Sequence, residues 1–351
     1  MNRILVNRIL IVRLGALGDI VHAIPVAAAL KRAFAGSRID WLVSAKHHEI
    51  LDLVPIIDRR LVVNDRGGSA GGATMFAAVR ELRRTRYDAA IDLQGLIKSA
   101  AVARLSGAAR VIGFTSRHLR ERLARPFYTE VHDPGGGAIR DRASSRHVVQ
   151  LNLGLLGALG LDTTVAEFPL DDVPSVTAAS LREASGGRYA LLNPGAAWPN
   201  KRWPPARLAA VAVALAERHG LRSVVLWGPG ERELAKAVVG AAEGAALLSP
   251  KTSIADLVAL ARGAAIMVSG DTGPTHIAAA VGTPLVGIYG PTRPERNGPW
   301  RSADISVSRA ETCECHHLRR CRRDTMCLMD IATAEVLDAI ERRLAAEPTR
   351  V

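Results

Sequence analysis

Short apolar runs, each leading through a turn into a segment of helical period, recur along the whole chain, and this alternation restricts the fold more than any other feature. In the first half the runs are residues 9–14, 39–43, 60–63, 89–93 and 110–113, with helical stretches such as 20–34, 76–84 and 99–105 between them. In the second half they are residues 189–193, 223–227, 245–248, 265–268 and 285–289. Runs without polar alternation suit strands covered on both faces, as in a parallel sheet. The repeated strand–helix units predict an α/β protein with doubly wound, Rossmann-like sheets. One helix is well bounded: Pro204 and Pro205 stand at its start and Gly220 just past its end.

A chain of 351 residues exceeds the roughly 250–300 at which one core stops growing, so two domains are expected. The boundaries read as residues 1–165 and 188–332. Between them lies a polar stretch carrying Pro169, Asp171, Asp172 and Pro174. A last helix, within residues 333–351, is expected to pack back on the N-terminal domain. Residues 67–72 (GGSAGG) and 134–137 (PGGG) have the composition of flexible loops. No apolar run reaches the roughly 18 residues needed to span a bilayer. The apolar N-terminus continues into Arg13 and a Gly-rich turn, which predicts a first strand rather than a signal peptide. All four cysteines fall between Cys313 and Cys327, which suits a reducing cytosol.

Chemistry concentrates in turns that follow strands. The first is Arg13-Leu-Gly-Ala-Leu-Gly-Asp19, where Gly15 and Gly18 permit a tight turn and close approach of backbone to a ligand. It is not a G-x-G-x-x-G fingerprint, and the second strand ends without an acidic residue to hold a ribose, which weakens a dinucleotide reading. Asp19 is either a helix N-cap or a carboxylate presented at the mouth of the sheet. The second turn, residues 193–204, carries Gly195, Ala196, Lys201 and Arg202: a phosphate loop, or a solvated basic one. The third, Asp271-Thr-Gly-Pro-Thr-His276, opens a helix. There Thr272, Gly273 and Thr275 are expected to aim amides and hydroxyls at an anion, with His276 adding a hydrogen bond or simply packing at the sheet edge. Tyr289-Gly-Pro-Thr292 ends the next strand at the same edge. Together these turns imply a diphosphate on the second domain, faced across a cleft by Asp19 of the first.

The formal charge of +12 favours anionic partners. Two basic runs, residues 80–86 (RELRRTR) and 117–125 (RHLRERLAR), read as helical and as either solvated faces or docking surfaces for anionic lipid or acceptor phosphates. They lack interleaved aromatics, so no specific nucleic-acid partner is expected. Cys313, Cys315, Cys321 and Cys327, beside His316 and His317, are weak candidates for a structural Zn or Fe site. Their irregular spacing equally suits reduced structural thiols, or disulfides under oxidising conditions.

Gly15-Ala-Leu-Gly-Asp19 with His22 and Pro25, Asp92-Leu-Gln-Gly-Leu-Ile-Lys-Ser99, Lys201 with Trp203-Pro204, Trp227-Gly228 with Glu231, and DTGPTH followed by YGPT together resemble the heptosyltransferase family of lipopolysaccharide assembly. The resemblance covers nearly the whole chain and is strongest, through the QGL-x-KSA run, to the heptosyltransferase I branch, which adds the first heptose to the Kdo sugars of lipid A. It implies a GT-B fold, two Rossmann-like domains facing across a cleft, and metal-independent, inverting transfer from an ADP-heptose donor. Carried over position by position, it makes Asp19 the catalytic base. Lys201, Thr272, Gly273 and His276 hold the diphosphate, Gly195 and Ala196 give it backbone contacts, Glu231 binds the ribose, and Asp271 approaches the donor sugar. Gly15, Gly18, Lys98, Arg120 and His147 fall on the acceptor side. The implied setting is cytoplasmic, peripheral on the inner face of the inner membrane, with a nucleotide sugar and a lipid A–Kdo acceptor as partners. The sequence departs from the family pattern in three places: residues 65–72 replace an Arg-rich stretch, Ala196 and Ala197 stand where hydroxyls occur, and the cysteine segment is absent from some family members. Transfer later in the core or from another nucleotide sugar, and more remotely an NAD-dependent oxidoreductase, are the competing activities.

Overall fold

The computed structural model describes residues 6–64, 69–138, 141, 146–315, 318–321 and 323–346, with residues 69–71 by backbone alone. The chain divides into two compact units, Met1–Asp171 and Asp172–Val351. The first contains β1 (Arg8–Val12), α1 (Leu17–Val21), α2 (Ile24–Ala33), β2 (Arg38–Ser44), β3 (Arg59–Val63), α3 (Ser69–Thr85), β4 (Ala89–Asp92), α4 (Ile97–Leu105), β5 (Arg110–Phe114), β6 (Glu130–His132) and α5 (Val148–Gly154). Its six strands lie parallel in the order β3-β2-β1-β4-β5-β6. The apolar runs become strands because both faces are covered: Ile9 to Val12, Trp41, Leu42 and Ile91 are all fully or nearly fully buried.

The second unit contains α6 (Val176–Ala184), β7 (Tyr189–Asn193), α7 (Pro205–His219), β8 (Arg222–Val225), α8 (Arg232–Ala241), β9 (Ala246–Leu248), α9 (Ile254–Gly263), β10 (Ile266–Gly270), α10 (Gly273–Val281), β11 (Leu285–Tyr289), α11 (Pro294–Asn297), β12 (Ile305–Ser308) and α12 (Thr333–Ala345). Its parallel sheet runs β12-β11-β10-β7-β8-β9. Numbered within its own unit, each sheet has the order 3-2-1-4-5-6 of a Rossmann-like domain. The order reverses between β1 and β4 in the first unit and between β7 and β10 in the second. At such a switch point the loops leaving the two strands diverge, and the crevice between them takes a ligand.

Several elements differ from the sequence reading. Strands β6 and β12 have no uninterrupted apolar run, because each is short and sits half-buried at a sheet edge. The helix read over residues 20–34 is two helices, broken at His22 and Ala23, with Pro25 in the first turn of the second, where its missing N–H costs nothing. Of the stretch read as a GGSAGG loop, residues 67–68 lie outside the described residues, and residues 69–72 form the first turn of α3. The basic run at residues 117–125 is not an α-helix. It is a turn followed by the 3-10 segment Arg122–Phe127, where Pro126 bars continuation into a regular helix. The run at 80–86 does lie on α3, up to Thr85. Helix α7 matches its reading: Gly220 takes the left-handed conformation (φ 63°) that a C-terminal cap requires.

Helix α12, the last helix expected from the sequence, belongs to the second unit. It lies on α7, β11 and β12 and buries Val336, Ala339 and Ile340 in that unit's core. Arg343 on the same helix pairs with Asp304 at 2.8 Å, both buried. Among the described residues, no helix is long and apolar enough to cross a membrane.

Candidate functional site

In the first unit the switch-point loops belong to β1 and β4, and they clamp one another. Arg13 follows the last residue of β1. Its N–H donates to Leu42 O at 3.2 Å and its carbonyl accepts from the Trp41 indole at 3.1 Å. Its Nη1 donates to the carbonyl of Leu93, while Leu14 N–H donates to Gln94 Oε1 at 2.7 Å. The loop after β4 is itself organised by Asp92. This fully buried carboxylate accepts from Tyr128 Oη at 2.7 Å, Ser99 Oγ at 2.9 Å and Gln94 N–H at 2.9 Å. Burial pushes the Asp92 carboxyl above its usual range despite these donors, and it pushes the Tyr128 hydroxyl up as well.

This frame presents Asp19. It is not the N-cap of α1, which is Ala16. It stands at the third helical position, where its Oδ2 accepts from Ala16 N–H at 3.1 Å. Two guanidinium groups share the carboxylate: Arg13 Nη2 lies 2.9 Å from Oδ1, and Arg120 Nη2 lies 3.4 Å from Oδ2. The Asp19 side chain is 16% exposed, Arg13 3% and Arg120 44%. The structure thus unites Asp19 and Arg120 with the Gly15–Gly18 loop, which packs against His47 at Gly15. The other acceptor-side candidates stand elsewhere. Lys98 is exposed in the first turn of α4. His147 is buried as the N-cap of α5, accepting from Val149 N–H at 3.2 Å, with its ring edge-on to His22 at 5.4 Å.

In the second unit the switch-point loops belong to β7 and β10. The loop after β7 carries Lys201, whose Nζ meets Asp271 Oδ2 at 2.6 Å and lies 4.5 Å from the centre of the Trp198 ring. Asp271, in the turn after β10, also holds His276 Nε2 at 3.1 Å. Its carboxyl is largely buried, which alone would raise its pKa. The hydrogen bond from His276 and the Lys201 charge prevail and hold it well below the usual carboxylate range. Asp271 therefore holds both Lys201 Nζ and the His276 ring.

The threonine hydroxyls differ from expectation. Thr272 Oγ1 lies 3.0 Å from both Asn193 Nδ2 and Thr275 Oγ1, while Thr275 Oγ1 donates to Gly270 O at 2.6 Å. They point inward and tie the turn to β7 and β10 through Asn193 and Ser269. What faces outward is backbone: no side chain caps the first turn of α10, and Gly273 and Pro274 begin it. An uncapped helix start is positive in potential and offers amide donors to an anion.

Glu231 follows β8 as the N-cap of α8. Its Oε2 accepts from Gly228 N–H at 3.0 Å. It lies so close to the loop after β7 that a Cβ on Gly195 would run into its carboxylate, so a larger residue there would displace Glu231. Ala196 is buried, and its carbonyl accepts from Arg202 Nε at 2.9 Å.

Three of the four cysteines are buried, and all four form one small cluster in which Cys315 and Cys321 Sγ lie 3.3 Å apart. Burial and the neighbouring Cys313 push the Cys327 thiol up to about 12. None of them is joined in a disulfide. Among the described residues no group of three or more His, Cys, Asp or Glu side chains is arranged to hold a metal ion; His316 and His317 lie outside those residues.

Arg13, Asn193, Ser269 and Trp198 were not singled out as functional from sequence. Each is a polar or aromatic residue at or just beyond the end of a buried strand, where a partner or ligand is required.

Residues 75–326 match the model of glycosyltransferase family 9 (heptosyltransferase). Lipopolysaccharide heptosyltransferase 1 of Pseudomonas aeruginosa is 30% identical over 319 residues, covering 87% of this chain and 85% of its own. Lipopolysaccharide heptosyltransferase 3 of Escherichia coli is 28% identical over 343 residues, covering 95% and 98%. The solved E. coli heptosyltransferase WaaC with ADP-2-deoxy-2-fluoro heptose superposes with a TM-score of 0.73 at 26% identity, covering 95% of this chain and 99% of that one. With two Rossmann-like sheets of the GT-B class and a family match across most of its length, this chain belongs to glycosyltransferase family 9, the heptosyltransferases.

Proposed function

We propose that the protein transfers a heptose from ADP-heptose to a Kdo sugar of the lipopolysaccharide inner core, with inversion. The observation that carries this reading is the Lys201–Asp271–His276 cluster beside the uncapped start of α10, at the switch point of a nucleotide-binding sheet. It is a cationic, donor-rich cradle of the kind a diphosphate needs. Asp19 occupies the corresponding switch point of the first unit and is the one carboxylate in its loop.

In this mechanism an acceptor hydroxyl loses its proton to Asp19 as its oxygen attacks the anomeric carbon. The bond to the diphosphate breaks, and ADP leaves with the charge that Lys201, His276 and the amides of Gly273 and Thr275 stabilise. Backbone N–H groups at Gly195 and Ala196 add to this hold. Glu231, after the second strand of its unit, accepts from the ribose hydroxyls, and Asp271 positions Lys201 for the leaving group. No Asp-x-Asp pair occurs in the chain, so the reading assigns the diphosphate to fixed positive charge and helix dipole. Arg120 beside Asp19, together with the Gly15–Gly18 loop and Lys98, receives the acidic acceptor. His147, the buried N-cap of α5, shapes the site through that helix rather than by contact. The protein works at the cytoplasmic face of the inner membrane, where Arg80, Arg83 and Arg84 on α3, with exposed Phe76, suit an anionic surface.

A later acceptor is the second reading, favoured by the extent of similarity to a heptosyltransferase 3. The deciding experiment is turnover with ADP-heptose, ADP-glucose and UDP-sugars against Kdo-lipid A and a heptosylated acceptor. ADP-heptose with Kdo-lipid A should give the highest kcat/KM. Preference for the heptosylated acceptor would replace the first reading with the second, and turnover only with UDP-sugars would end both.

A further inference from the structure

The carboxylate of Asp19 is held asymmetrically, and the asymmetry identifies a residue with a task of its own. Oδ1 meets Arg13 Nη2 at 2.9 Å; Oδ2 meets Arg120 Nη2 at 3.4 Å and Ala16 N–H at 3.1 Å. Arg120 reaches Asp19 from an exposed turn, and its long side chain is free to shift when an acidic acceptor arrives. Arg13 is not. Its backbone is fixed on one side to β2, through Leu42 O and the Trp41 indole, and its Nη1 is fixed on the other side to Leu93 O in the loop after β4. Leu14, the next residue, is pinned by Gln94 Oε1. A guanidinium so buried costs several kcal/mol in desolvation unless it meets a counter-charge, and Asp19 is the carboxylate that it meets.

We propose that Arg13 is the positioning residue for the base: its buried charge holds Oδ1 of Asp19 by an ion pair at 2.9 Å and leaves Oδ2 as the oxygen that takes the acceptor's proton. Arg120 and Arg13 thus divide the work. The exposed guanidinium exchanges from Oδ2 to the acceptor's acidic groups, and the buried one never leaves Oδ1. The inference rests on the reading of Asp19 as base. It adds that a fixed positive charge stands against one oxygen of the base.

The test measures kcat against pH for the wild type, Arg13→Met, Arg13→Lys and Asp19→Asn, with ADP affinity and thermal melting as controls. Arg13→Met should lower kcat at least about tenfold. It should also move the acid limb of the kcat profile upward by about one pH unit or more, the usual effect of losing an adjacent cation. ADP affinity should stay within twofold. Arg13→Lys keeps the charge but not the planar fork, so its limb should stay near the wild-type position while kcat falls several-fold. Should Arg13→Met fail to melt cooperatively, Arg13→Lys carries the test, and wild-type kcat in that variant overturns the proposal. A fall in kcat for Arg13→Met without movement of the limb overturns it too, as a merely structural defect. Near-normal turnover of Asp19→Asn would overturn the base assignment itself. Loss of turnover in Asp19→Asn with an unmoved limb in Arg13→Met would overturn the role of Arg13 alone.

Discussion

Replacing Lys201 by methionine removes one positive charge while keeping most of the side-chain volume, and two separate losses should follow. The first is in the free protein. Lys201 Nζ sits 2.6 Å from Asp271 Oδ2, with the side chains 15% and 9% exposed. Breaking a sealed ion pair by deleting one partner costs about 3–5 kcal/mol. Here water reaches the pair, and His276 keeps its bond to Oδ1, so about 2 kcal/mol is the appropriate figure. For a unit of this size that lowers Tm by about 4–8 °C. The second loss is in donor binding. One charge-assisted contact to phosphate is worth about 1.5–3 kcal/mol, which is about 10- to 150-fold in Kd for ADP. The pH dependence has a definite sign. The folded Asp271 carboxyl lies below its unfolded value of about 4, so its contribution to stability is complete above that pH and fades as pH falls. Without Lys201 the depression shrinks, and the Tm deficit of Lys201→Met should narrow as the solution is acidified below about pH 4. Calorimetry with ADP and melting curves across pH 3–8 measure all three effects. An ADP Kd within twofold of wild type, together with an unchanged Tm, would refute the reasoning.

Three further substitutions probe other parts of the framework. Gly195→Ala should push the Glu231 carboxylate aside and weaken ADP at least about fivefold while sparing inorganic pyrophosphate, which has no ribose; equal losses for both ligands in calorimetry would contradict this role of Glu231. Tyr128→Phe removes a donor from buried Asp92 and should cost about 1–3 kcal/mol in urea unfolding; an unchanged midpoint would show that the contact is dispensable. Arg343→Met strands buried Asp304 and should cost about 3–5 kcal/mol, with partial recovery when Asp304→Asn is added; no recovery in the double variant would place the loss elsewhere.

The sheets were legible in the sequence because parallel strands covered on both faces need uninterrupted apolar runs. Tyr189–Asn193 and Leu285–Tyr289 coincide with their strands end to end. Edge strands escaped the same logic: Glu130–His132 is half-buried throughout and has no apolar signature. The helical state of residues 69–72 was hidden by glycines, which have poor intrinsic propensity yet are tolerated at a helix start. At the site, positions were easier to read than orientations. DTGPTH marked the turn, but the inward rotation of Thr272 and Thr275 depends on Asn193 and Ser269, which only the closed sheet brings within reach. The Lys201–Asp271 pair joins residues 70 apart in sequence, so spacing could not reveal it. Arg13 did leave a trace: a charge directly after a strand buried from Ile9 to Val12 must find a partner, and it finds Asp19.

The account depends on Asp19 acting on the acceptor while the second unit alone holds the donor diphosphate. The most direct test is Asp19→Asn, assayed for heptose transfer at saturating ADP-heptose and Kdo-lipid A and, separately, for ADP binding. The account predicts that kcat falls at least about a hundredfold while the ADP Kd stays within twofold. A kcat within a fewfold of wild type would contradict it, and so would an ADP affinity that falls in step with turnover.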